Sequence, residues 1–399
     1  MRKKRAVLVF AFLFILAVFP DLAMGEGEPA APAEISKETP APPSDYIDTC
    51  VHLDGEYISR DASAEDTDTG KRKKKMTVKE REPGKKDISV RNLIKDYDAA
   101  AKGLLEDMDR FYIRKAVVMP PPHVPKQVLR RDYKDIQKTI ENYPDSFALG
   151  AGGYTLNPLI HASDPENIGK SLEFRFTSAA ERLVHEGAKC FGEMSALSLS
   201  FDPQDPFSEA AADHPLFLEL ADIAAKYDIP VSIQMEAVSA DMPLPTDLKE
   251  LSSGNPDILT ENISALERLL VHNRGANIIW NQAGYDNTGH LTPSLVRKLL
   301  NKHKNLYVGI RIGGAGLVPA PKFNRITDDK GEVREEWLAL FRDFPERFLI
   351  ASGGFAGIKG KTPTSSAVFE NTWSLLGKLP YDVADRIGKE NAKRLLHIK

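Results

Sequence analysis

Asp48-Thr49-Cys50-Val51-His52 sets a carboxylate, a thiol and an imidazole at alternate positions. Side chains two residues apart on an extended strand point to one face, so Cys50 and His52 aim at a common point. There they could act as a thiolate–imidazole pair of the nucleophilic kind. Equally, Cys50 could be a small buried thiol and His52 a hydrogen-bonded pocket histidine. Carboxylates recur at Glu193, in Gly192-Glu193-Met194, and at Glu236, in Ile233-Gln234-Met235-Glu236. Each could bind a substrate hydroxyl or a cation, or satisfy local backbone donors. Arg311 could hold a substrate carboxylate through two parallel hydrogen bonds, or pair internally with Asp286. His123, after the triple proline Pro120–Pro122, reads as a surface histidine on a nearby loop.

Regular elements must bring these residues together. Strand-like runs fall at Tyr46–Val51, Lys115–Met119, Phe147–Gly152, Lys189–Met194, Pro230–Met235, Asn277–Trp280, Leu306–Ile312 and Phe348–Ser352. Amphipathic stretches alternate with them. In Tyr97–Phe111, for example, Tyr97, Ala101, Leu104, Met108 and Phe111 share one helical stripe. Others are expected at Pro215–Tyr227, Ile263–His272 and Pro293–His303, with Asp213 before Pro215 and Thr292 before Pro293 as start signals. Eight β/α repeats predict an α/β fold closed into a single TIM-type (β/α)8 barrel. A doubly wound open sheet is the alternative, and no G-x-G-x-x-G fingerprint supports it. The candidate residues sit at strand C-termini, the face where such barrels keep their active sites.

Outside the repeats the composition changes. Arg2 to Arg5 is basic, Ala6 to Phe19 is apolar throughout, and Ala23-Met24-Gly25 is small enough for cleavage, so residues 1–25 read as a signal peptide. Residues 26–44 form a Pro/Ala-rich spacer, and the barrel domain is expected over 45–399. Within it, residues 60–87 form an insertion in which 17 of 28 residues are charged, including the basic run Lys71 to Lys75. Such a segment reads as a solvated loop. The chain carries a net charge of −4, and −7 without the leader, which argues against nucleic acid as a partner. With the leader cleaved, no stable membrane span is expected, and the protein would be periplasmic or secreted in a bacterium. Two cysteines, Cys50 and Cys190, cannot build a disulfide scaffold and are expected to be free thiols.

Several segments carry a family resemblance. They are Ala116-Val117-Val118-Met119-Pro120-Pro121-Pro122, Gly152-Gly153-Tyr154-Thr155-Leu156-Asn157-Pro158, Gly192-Glu193-Met194-Ser195-Ala196-Leu197, Met235-Glu236-Ala237-Val238 and Ala283-Gly284-Tyr285-Asp286-Asn287-Thr288-Gly289. With Ile47–Gly55 at one end and Glu390–Leu396 at the other, they resemble the amidohydrolase-related family of metal-dependent TIM-barrel hydrolases. That resemblance implies metal-dependent hydrolysis, or decarboxylation, of a small molecule. It also implies two histidines on the first strand, one ending the fifth, often one ending the sixth, and an aspartate after the eighth.

Position by position the implied ligand set is depleted. Cys50 stands at the first histidine and only His52 matches; Gln234, Gln282 and Gly353 replace two histidines and the aspartate. Ser198 lies in another region where relatives carry a polar group. Neutral amides and glycine are poor substitutes for ligands. The expectation is therefore a polar pocket at Cys50, His52, Glu193, Gln234, Gln282 and Gly353 that holds no metal. The protein would be a small-molecule-binding or regulatory pseudoenzyme. Glu236, Asp286 and Arg311 would be available to its ligand. The alternative is an active hydrolase with a remodelled site, in which Cys50, His52 and Glu193, all proper ligand types, hold zinc.

Overall fold

The computed structural model describes residues 43–54, 56–59, 93–125, 133–201, 206–313, 322–357 and 365–399. The proposed leader, nearly all of the spacer and the charged insertion lie outside them. Eight parallel strands follow in chain order: β1 (Tyr46–Asp54), β2 (Ile113–Val118), β3 (Phe147–Gly152), β4 (Cys190–Ser198), β5 (Val231–Met235), β6 (Ile278–Ala283), β7 (Leu306–Ile310) and β8 (Phe348–Ile350). Each pairs with its neighbour in sequence. β8 pairs with β7 through Phe348–Ile350, and its continuation Gly354–Gly357 then pairs in parallel with β1, Val51 opposite Gly354. The sheet therefore closes, as the alternating pattern predicts, and the open doubly wound alternative is excluded.

One long helix follows each strand: α1 (Asp98–Arg110), α2 (Tyr133–Glu141), α3 (Lys170–His185), α4 (Pro215–Tyr227), α5 (Ile263–His272), α6 (Pro293–Lys302), α7 (Glu335–Asp343) and α8 (Ser365–Leu376). Their apolar stripes explain the packing. Ala100, Ala101, Leu104 and Met108 of α1 are all buried, as are Leu216, Phe217, Leu220 and Ala224 of α4. The Thr292 side chain accepts from the Leu295 N–H and caps α6. At α4 the cap is His214, whose Nδ1 accepts from the Leu216 N–H. Asp213, expected there, instead pairs with Arg268. Short helical turns from Tyr381 to Leu396 finish the chain.

Two departures from regularity shape the mouth. Residues 56–59 and 93–96 form an antiparallel ribbon at the base of the charged insertion. Register also slips along β1 between Asp48 and Val51, along β4 between Phe191 and Met194, and along β6 between Trp280 and Ala283. Such irregularities re-aim side chains, and they fall beside Cys50, Glu193 and Gln282. Asp48 pins the β1–β8 seam by accepting the N–H groups of Cys50 (3.1 Å) and Ser352 (3.1 Å). Its burial pushes the carboxyl up to about 6, against the pull of those hydrogen bonds.

Candidate metal centre

At the C-terminal ends of β1 and β4, Cys50, His52 and Glu193 converge. Their ligand atoms all lie within 4.8 Å of one another, and all three residues are buried. Cys50 Sγ is 3.8 Å from His52 Nε2, and Glu193 Oε2 is 3.4 Å from the same nitrogen. Bonds of about 2.3 Å to sulfur and about 2.0 Å to nitrogen or oxygen, at tetrahedral angles, place ligand atoms about 3.3–3.6 Å apart. Both measured separations come close to that requirement. The i, i+2 alternation on β1 aims the first two donors, and the register slip in β4 brings Glu193 to meet them.

The surroundings orient these donors. His52 Nδ1–H donates to the Met119 carbonyl at 2.9 Å. A carbonyl only accepts, so this bond fixes the proton on Nδ1 and leaves Nε2 turned toward the thiol and the carboxylate. Asn281 Nδ2 donates to Glu193 Oε1 at 3.1 Å and to Ser232 Oγ at 2.9 Å. The Phe355 ring lies over the imidazole with centroids 4.6 Å apart.

With Nδ1–H committed to Met119, His52 Nε2 faces a carboxylate oxygen, and either a proton on that nitrogen or a cation shared with the carboxylate completes the contact. The donor set fits a cation. The thiol favours zinc over the hard cations that take oxygen ligands. Burial, with Glu193 and Asp48 nearby, pushes the Cys50 thiol well above the ordinary value, which disfavours a thiolate there without a cation. Glu193 behaves oppositely. Burial alone would raise it, but the His52 hydrogen bond and charge, Arg311 and Asn281 together hold it below the ordinary carboxylate value.

The other half of the mouth is built differently. Gln234 is half-buried and donates through Nε2 to Ser198 Oγ at 3.3 Å. Gln282 is buried at φ +83°, and its Oε1 has no hydrogen-bond partner. Gly353 has φ +62°, and a Cβ there would lie 3.2–3.4 Å from Cζ, Nε and Nη1 of Arg311. The guanidinium thus occupies the place where the resemblance implies an aspartate. Arg311 also stacks on Tyr285, 4.3 Å from the ring centroid, and its Nε is buried without a partner. Among the described residues it makes no ion pair.

Asp286, the alternative partner for Arg311, turns inward on its own loop. Its carboxylate accepts from the N–H groups of Thr288, Gly289 and Leu291, from Thr288 Oγ1, and from Asn324 Nδ2. That corrects both the Asp286–Arg311 pair and the reading of Asp286 as a ligand group, because its acceptor capacity is spent. Glu236 is buried, with Oε1 accepting from Asn287 Nδ2 at 2.7 Å. His123 lies beside Tyr154 with ring centroids 6.0 Å apart.

Sequence reasoning missed Asn281 and the Met119 carbonyl. Taking Gln282 as the inward residue of β6 puts Asn281 on the opposite face; in the structure Asn281 shares the inward face with Ile279, two residues before it. One signal was readable: Gly309 on the adjacent strand leaves room for Asn281, whose Oδ1 would sit 2.5 Å from a Cβ at that position. Both cysteines are free, as expected. A cavity of about 460 Å³ opens among Ser44, Asp45, Leu105, Met108, Tyr112 and Arg114, and touches none of the site residues.

No family model and no curated protein matches the chain. It is distantly similar to several solved structures. One is a 2,6-dihydroxybenzoate decarboxylase from Rhizobium, with 15% identity, TM-score 0.41, and coverage of 74% of this chain and 87% of that one. Another is an amidohydrolase from Mycobacterium avium subsp. paratuberculosis, with 12% identity, TM-score 0.41 and 75% of each chain covered. A third is amidohydrolase 2 from Bifidobacterium longum subsp. infantis, with 10% identity, TM-score 0.41, and coverage of 90% and 100%. The barrel itself rests on strand order and register.

Proposed function

We propose that this protein is a small-molecule hydrolase with a remodelled centre, in which Cys50, His52 and Glu193 hold one zinc-type cation. The observation that carries the reading is the spacing of their donor atoms, 3.8 Å and 3.4 Å about His52 Nε2. Three protein ligands leave a fourth position open, the arrangement of catalytic rather than structural zinc. A bound divalent cation supplies Lewis-acid polarisation and a nucleophile active at neutral pH. The residues themselves do the positioning. Met119 and Asn281 hold two of the donors in place, Phe355 covers the imidazole, and Arg311 offers a charged fork to an anionic group on the substrate. Gln282 Oε1 is a further acceptor, buried without a partner.

Metal analysis of the full chain after zinc loading and desalting tests this reading. We expect about one zinc per chain, and loss of it in each of Cys50→Ala, His52→Ala and Glu193→Ala. Well under one equivalent, or zinc retained by all three variants, would sink the proposal. A metal-free small-molecule-binding protein is the second reading. It is supported by the neutral groups at Gln234, Gln282 and Gly353, and the same measurement separates the two.

We also propose export, from residues 1–25 alone. N-terminal sequencing of protein recovered from a bacterial periplasm should begin near Glu26, and an intact Met1 in the cytoplasm would count against it. No helix among the described residues is long and apolar enough to cross a membrane.

A further inference from the structure

A barrel hydrolase needs a group that takes a proton from the attacking water and returns it to the leaving group. Gly353, beside the Arg311 guanidinium, has no side chain to do this, so the acceptor must lie elsewhere. We propose that Glu236 is the proton acceptor of this site, relocated from the end of β8 to the end of β5; this rests on the hydrolase reading above.

Placement supports the assignment first. Glu236 directly follows the last residue of β5, at the C-terminal end of the strand. Its side chain is buried at 2% exposure and meets Asn287, in the loop after β6, whose Nδ2 donates to Oε1 at 2.7 Å. The charged and titratable groups that act on it are Asp286, Tyr285 and Arg311. The charge of Arg311 acts on Glu236 and also on Glu193 and Cys50.

Electrostatics agrees with the placement. Burial, with the charge of Asp286, pushes Glu236 up to about 7 against the hydrogen bonds of Asn287 and the pull of Arg311, the range of a group that exchanges protons near neutrality. Asp286 cannot take the role, because its oxygens already accept five hydrogen bonds from its own loop and from Asn324.

The step balances for an ester or lactone. Water attacks the carbonyl carbon as the Glu236 carboxylate takes one of its protons. A C–O bond forms and the carbonyl π pair moves onto oxygen. Collapse breaks the bond to the leaving oxygen, which receives the proton from Glu236. One water is consumed, acid and alcohol are released, and the carboxylate is regenerated.

The test uses the zinc-loaded full chain with p-nitrophenyl acetate and a panel of small lactones. Wild-type kcat/KM should rise with pH through about 7, where Glu236 ionises. Glu236→Gln should lower kcat by about 100-fold or more, with KM and zinc content unchanged and the pH limb lost. Glu236→Asp should recover part of the rate. Infrared difference spectra between pH 5 and pH 9 give a readout independent of turnover. Protonated-carboxyl absorption should disappear on going to pH 9 in the wild type, with and without zinc; Glu236→Gln should lack the component that titrates near 7 and keep the Asp48 component near 6. An active wild type whose Glu236→Gln variant keeps its rate and pH limb would overturn this assignment alone. So would an infrared difference that Glu236→Gln leaves unchanged. A zinc-binding wild type inert on every probe would overturn the hydrolase reading as well.

Discussion

The β1/β4 wall and the β5/β6/β8 wall of the mouth differ in kind. On the first, Cys50, His52 and Glu193 crowd their donor atoms to within 4.8 Å of one another. On the second, Gln234 bonds sideways to Ser198, Gln282 leaves Oε1 unpartnered, and Arg311 lies against Gly353. One wall carries ligand-type side chains. The other carries neutral amides and a permanent positive charge. Three donors on adjacent parts of a barrel close a tetrahedron only if each is held in the right rotamer, and here Met119 and Asn281 do that holding.

The contrast should show most strongly in metal content. Gln234→Ala and Gln282→Ala on the second wall should keep about one zinc per chain, while Glu193→Ala on the first should keep almost none. Plasma mass spectrometry on desalted protein reads the difference directly. Equal losses on both walls would show that the amides are ligands after all and that the comparison is misdrawn.

Stability against pH comes next in size. Asp48 and Glu236 both have folded-state values raised above their unfolded ones, to about 6 and about 7. A raised acid contributes stability that is complete below its unfolded value and is lost as pH rises through the folded one. The chain should therefore lose stability between about pH 4 and about pH 7 on account of these two groups. Glu193, shifted downward, acts in the opposite sense at the acidic end. Glu236→Gln isolates one contribution. Relative to wild type it should gain up to about 3 kcal/mol between pH 5 and pH 8, seen as a crossing of their thermal-melting curves. Parallel curves would show that Glu236 is ionised in both states.

A smaller effect tests how the donor wall is held. Asn281→Ala removes the amide that binds Glu193 Oε1 at 3.1 Å without touching any ligand. Outer-shell losses of this kind weaken metal binding by about 10- to 100-fold. Competition against a fluorescent zinc chelator measures it. Unchanged affinity would mean that Glu193 is held by the β4 backbone alone.

These effects depend on details that the chain reveals unevenly. All eight strands were legible, because a buried parallel strand reads as a short apolar run and each run is followed by a helical stripe. Phe147–Gly152 was located to the residue. The Cys50–His52 convergence was legible too, since alternation is a property of the backbone. Asn281 was not, because the resemblance points to Gln282, one residue on, and alternation from Gln282 turns Asn281 outward. Nor was the meeting of Arg311 with Gly353. It depends on a long side chain crossing from β7 to β8, and nothing in the spacing of either residue requires it. Asp286 was misread for a related reason: an acidic residue beside a site looks the same in sequence whether it faces the ligand or its own loop.

The Gly353–Arg311 contact yields the smallest and sharpest test. Gly353→Asp restores the carboxylate that the resemblance implies, at φ +62° and with its Cβ 3.2–3.4 Å from the guanidinium. The left-handed backbone costs a non-glycine residue about 1 kcal/mol, and aspartate tolerates it better than most. The guanidinium is at the flexible end of its side chain, so it can give by a few tenths of an ångström. The new carboxylate should then pair with Arg311 and recover much of that cost. Net stability should change by about 1 kcal/mol or less, and zinc content should stay at about one per chain. The informative change should be in the pH profile. With Arg311 neutralised, Glu236 loses a charge that now lowers it, so the activity limb should move upward. If Gly353→Asp alone raises zinc above one per chain, Arg311 does not separate the two walls, and the second still holds a latent metal position.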